Sequence, residues 1–100
     1  MALKAAFIFI APNADPAKHR SVIETEQVTL ITVGVQNYDS AVKEAVKLTA
    51  EGVVAIELCG GFGHSGTAMI SNAVKEKAVV GVVRFDHHPG LDNKSGDELF

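Results

Sequence analysis

The residues best equipped for chemistry lie between Cys59 and Thr67, in the run Cys-Gly-Gly-Phe-Gly-His-Ser-Gly-Thr, with a second group at Asp86, His87 and His88. Glycines ahead of a helix leave backbone N–H groups open to an anion, and the positive end of the helix adds to the attraction. Gly60, Gly61, Gly63, His64, Ser65, Gly66 and Thr67 are therefore the expected ligand contacts, and a small anionic molecule is the expected ligand. The run lacks the Gly-Lys-Ser/Thr ending of a Walker loop and departs from G-x-G-x-x-G, so it matches neither phosphate-binding signature. The plain alternative is that the glycines only turn the chain from strand into helix.

Cys59 opens the loop near a helix start, a setting that favours a thiolate, and His64, His87 or His88 could act as its base. Glu57 lies inside an apolar strand, where an unpaired carboxylate is costly. Arg84, at a similar place in the next strand, is its expected partner, and Glu57 could also orient a histidine. An enzymatic reading thus rests on Cys59, His64, Asp86 and His87 or His88, with Glu57 as a further candidate. His64, Asp86, His87 and His88 are ligand types for a divalent metal such as zinc. Adjacent histidines on an extended strand point oppositely, so His87 and His88 share an ion only if the chain turns at Pro89-Gly90.

Positioning these groups requires strands that end at one edge. Residues 3–11 and 28–35 are apolar or β-branched runs, and 53–58 and 78–85 repeat the pattern, which predicts four strands. Asp15-Pro16 is a helix-start signal, and the helix is expected over 16–24. A second helix carries Val42, Ala45, Val46 and Thr49 on its inward stripe, with Lys43, Glu44 and Lys47 outward and Gly52 as a left-handed cap. A third carries Met69, Ile70, Ala73 and Val74. The expectation is a small layered α/β domain with a four-stranded, mainly parallel sheet and two or three helices, over residues 1–90. Residues 91–100 read as a polar C-terminal tail tipped by Leu99 and Phe100. In such a sheet ligands collect at the carboxyl ends of the strands, where most of the reactive residues fall.

The phrases Ile-Glu-Leu-Cys-Gly-Gly-Phe-Gly at 56–63, Gly-Val-Val-Arg-Phe-Asp-His-His-Pro-Gly at 81–90 and Asp-Pro-Ala-Lys-His-Arg at 15–20 resemble a family of short, mostly bacterial proteins catalogued only as a domain of unknown function. The resemblance implies a compact α/β fold over nearly the whole chain and brings no activity or residue role with it.

The chain has 100 residues, a formal charge of −3 and one cysteine. The acidic balance argues against nucleic acid, the apolar runs are too short to span a membrane, and a single cysteine fits a reducing compartment. No basic leader pattern precedes residues 5–11, so a cytoplasmic location is expected. A sheet this small leaves apolar surface uncovered, which predicts a homo-oligomer. Three readings stand side by side: a binder of a small anion at 60–67, a small enzyme with or without a divalent metal, and a structural oligomerisation domain.

Overall fold

The computed structural model describes residues 2–100. Its elements are β1 (Leu3–Ile10), β2 (Arg20–Glu24), β3 (Val28–Val35), α1 (Tyr38–Ala50), β4 (Ala55–Leu58), α2 (His64–Val74) and β5 (Val79–Val82), followed by 3-10 turns at Pro89–Leu91 and Gly96–Glu98. The strands form one five-stranded sheet in the order β2-β3-β1-β4-β5. β1 runs parallel to β3 and β4, and β4 parallel to β5, while β2 lies antiparallel on the outer edge of β3.

The sheet is therefore mainly parallel, as expected, but has five strands rather than four. The extra one replaces the helix expected over 16–24. Asp15 does cap: its Oδ1 accepts the Ala17 N–H at 2.9 Å, and the His19 N–H closes back on the Asp15 carbonyl at 2.7 Å. The cap yields one turn and no more. Val22 and Ile23 favour extended backbone, and the free edge of β3 gives them a ladder to join, so pairing overrides the start signal.

This exchange decides the layering. Right-handed crossovers that step in opposite directions along a parallel sheet lie on opposite faces. The steps from β3 to β4 and from β4 to β5 go the same way, so α1 and α2 share a face and pack together. The step from β1 to β3 goes the other way, and it is made by a turn and β2 instead of a helix. Among the described residues, the second face of the sheet carries no helix.

The core fills the helix-covered face. Ile8, Val33, Ile56 and Leu58 from the strands meet Leu48, Ile70 and Val74 from the helices, all of them fully buried. Helix α1 starts at Asn37, whose side chain accepts the Ser40 N–H at 2.8 Å, and Gly52 follows it with φ of 99°. Its inward stripe is rotated from the expected one. Ala41, Glu44, Ala45 and Leu48 are buried and Val46 is exposed, because Glu44 turns in to meet Arg20 of β2 at 2.9 Å. Among the described residues no helix is long and apolar enough to cross a membrane.

Candidate functional site

Helix α2 begins at the end of the glycine loop with Gly63 at its cap, and Gly63 has no side chain to accept the first-turn amides. Asp97 supplies the acceptor from the far end of the chain. Its Oδ2 accepts the Ser65 N–H at 3.0 Å and its Oδ1 the Gly66 N–H at 3.2 Å. Tyr38, the first residue of α1, closes the arrangement: its hydroxyl donates to Asp97 Oδ1 at 2.8 Å and accepts the Gly63 N–H at 3.0 Å. The anion at this helix start is thus a carboxylate of the chain itself.

Residues 91–100 fold back onto the domain to bring it there. The last turn is held by a capping box, Ser95 accepting from Asp97 N–H and Glu98 accepting from Ser95 N–H. The Phe100 ring lies 6.2 Å from that of Tyr38, which also stacks on Phe62 at 5.6 Å. Phe100 therefore docks within its own chain.

Most of the glycines in the loop serve this packing. A Cβ at Gly60 would collide with the Phe85 ring, at Gly61 with Ile10, at Gly63 with the Asp97 carboxylate and at Gly66 with the Tyr38 ring. The Cys59 sulfur accepts the N–H groups of Ile10 at 3.4 Å and Gly61 at 3.3 Å. Together with Gly96 against the Gly61 carbonyl, these residues fill the crevice between the ends of β1 and β4, the point where strand order reverses and where ligands of such sheets usually sit.

A cleft opens one strand further on. Phe62, Gly63, His64, Thr67, Val82, Arg84, Phe85 and Asp86 line a cleft of about 230 Å³. Arg84 holds Asp86 through Nε at 3.0 Å, and its Nη2 donates to His64 Nε2 at 2.9 Å. A guanidinium can only donate, so His64 Nε2 accepts and the neutral ring carries its proton on Nδ1. Arg84 beside Asp86 holds that carboxyl below the usual carboxylate range. Asp97 also lies below that range: burial works against ionisation, and the amides of Ser65 and Gly66 with the Tyr38 hydroxyl outweigh it. Burial pushes the Tyr38 phenol up to about 12, with the neighbouring Asp97 adding to the shift.

The structure brings Gly63, His64, Thr67 and Asp86 to one cleft and directs the other candidates elsewhere. Arg84 pairs with Asp86 and not with Glu57, which is exposed on the bare face of the sheet, opposite Gly81. Solvated there, Glu57 needs no partner, which removes the reason for the expected pair. His87 Nδ1 lies 3.2 Å from the Asn93 carbonyl. His88 Nδ1 accepts the Gly90 N–H at 3.0 Å, and its ring packs 4.6 Å from Phe85. Among the described residues, no three His, Cys, Asp or Glu side chains converge as a metal cage requires. Tyr38 and Asp97 were missed in the sequence. The Ser-x-x-Glu box at 95–98 was the available signal that the last residues are ordered.

A family model spans residues 3–98, taking in every strand of the sheet, the glycine loop, the cleft and the Asp97 lock. The chain belongs to DUF6506, a family of unknown function. No curated protein and no solved structure matches the chain. For this DUF6506 member, functional argument rests on the site itself.

Proposed function

We propose that this DUF6506 domain binds a small anionic molecule in the cleft between the start of α2 and the end of β5. One observation carries the reading: Arg84 and His64 stand 2.9 Å apart at a cleft whose apolar wall is Phe62, Val82 and Phe85 and whose remaining lining is Gly63, Thr67 and Asp86. Arg84 Nη1 has no protein partner among the described residues, so the fork keeps a donor for a carboxylate or phosphate oxygen. The apolar walls suit the carbon part of an organic anion. Because Asp97 already occupies the helix-start amides, the ligand of this proposal contacts His64, Thr67 and Arg84 instead of Ser65 and Gly66.

Calorimetric titration with inorganic phosphate and with benzoate, at about neutral pH, tests the reading. Arg84→Met should abolish binding, and Asp86→Asn, which frees the guanidinium, should tighten it several-fold. Absence of binding for both anions, or wild-type affinity in Arg84→Met, would overturn the proposal.

A further inference from the structure

The helix-free face of the sheet is built from every second strand residue: Leu3, Ala5, Phe7 and Phe9 of β1, with Leu30 and Thr32 of β3 beside them. On the flanks, Ile23 is 58% exposed and Val79 is 72% exposed. Glu57 is the one ionisable strand residue on this face. Parallel sheets are normally covered on both faces, and an apolar face of this kind marks a contact surface. Strands spaced ~4.8 Å and rising ~3.3 Å per residue give a five-stranded face on the order of 500 Å² in plane, and more in accessible area. That reaches the ~600 Å² per partner at which stable interfaces begin.

We infer that this face is covered by a second copy of the chain, packed sheet on sheet about a two-fold axis along β1. The order of residues across the sheet is what selects a second copy. One row reads Ile23, Leu30, Ala5, Ala55, Val79, and the next reads Ser21, Thr32, Phe7, Glu57, Gly81. A two-fold axis along the central strand reverses each row onto itself. Large then meets small, Leu30 over Ala55 of the second copy, and Ile23 meets Val79 of the second copy. Ser21 falls over Gly81, which has open space where a Cβ would be. The lone carboxylate, Glu57, falls over the Thr32 hydroxyl of the second copy, which offers it one donor in exchange for part of its solvent. Isologous pairing of one patch with itself is how closed dimers form, and aligned sheets pack with their strand directions within about 30° of each other.

The test uses Ile23→Lys and Val79→Glu, both at exposed positions, with folding checked by circular dichroism and thermal unfolding. Sedimentation at micromolar concentration should give wild type at twice the chain mass and each variant alone at the chain mass. An equimolar mixture of the two variants should return to the dimer, because one interface pair then becomes a salt bridge and the other keeps Ile23 against Val79. A folded wild type that stays monomeric would give the face to some other partner and overturn the inference. So would single variants that remain dimeric, or a mixture that remains monomeric.

Discussion

Asp97 is the residue on which the site's geometry turns. A single carboxylate takes two helix-start amides and a phenolic hydroxyl, joining the C-terminal residues to α1 and α2. Hydrogen bonds to a charged acceptor are each worth ~1.5–3 kcal/mol, so Asp97→Asn should lower unfolding free energy by about 1–3 kcal/mol, read from urea unfolding. An unchanged midpoint would contradict the lock. The lock also sets two pH dependences. Asp97 titrates below its unfolded value, so its contribution is fully present above the ordinary carboxylate range and fades as pH falls through the lowered value. Tyr38 titrates above its unfolded value, at about 12, so the neutral phenol's contribution holds below about pH 10 and is lost between there and about 12. Ultraviolet titration of the single tyrosine should show the late ionisation, and Asp97→Asn should bring it down.

Between elements, the joint that matters most is β2 against α1. Glu44 is 5% exposed and meets Arg20 at 2.9 Å, while Arg20 also reaches Glu51 at 3.2 Å. Removing one partner of a buried pair leaves an uncompensated charge at a cost of ~3–5 kcal/mol, reduced here because Arg20 is partly solvated. Arg20→Met is therefore expected to cost about 2–4 kcal/mol. The double variant Arg20→Met with Glu44→Leu should recover most of that loss, since burying two apolar groups removes the charge itself. Chemical unfolding of the three variants reads the coupling directly, and additive losses would rule it out. The same joint explains why 20–24 is a strand: its arginine is held by α1 while its backbone pairs with β3.

For the whole molecule, the C-terminal residues pack against the core through Gly96, Asp97 and Phe100. Deleting residues 95–100 removes the Asp97 acceptor and the Phe100 ring, and uncovers Tyr38 and the end of the glycine loop. One kcal/mol shifts the melting temperature of a domain of 60–100 residues by roughly 4–8 °C, so loss of the lock should lower it by about 10 °C or more. Scanning calorimetry of the truncated chain measures this, and a change of a degree or two would show that the segment is peripheral. The same truncation leaves the bare sheet face intact, so a dimer formed through it should survive at temperatures where the shortened chain stays folded.

Local pattern was enough to determine β1, β3, β4 and β5, both helices, the Gly52 cap and the parallel character of the sheet, because apolar periodicity and cap residues act within a few positions. It was also enough to bring His64, Thr67 and Asp86 to one edge, since strand ends in a parallel layer fall together. Segment 16–24 was misread because its helix signal is local and the vacant edge of β3 that captures it is not. The pairing of Glu57 with Arg84 failed for a similar reason: which face a strand residue occupies, and whether that face meets helix or water, depends on the handedness and direction of the crossovers. Asp97 and Tyr38 are 59 positions apart, and the loop glycines that admit them look like turn residues until the chain end is docked. Only the tertiary structure could decide that the helix-start amides are satisfied from within, because the acceptor arrives through a long-range closure that no short window of sequence contains.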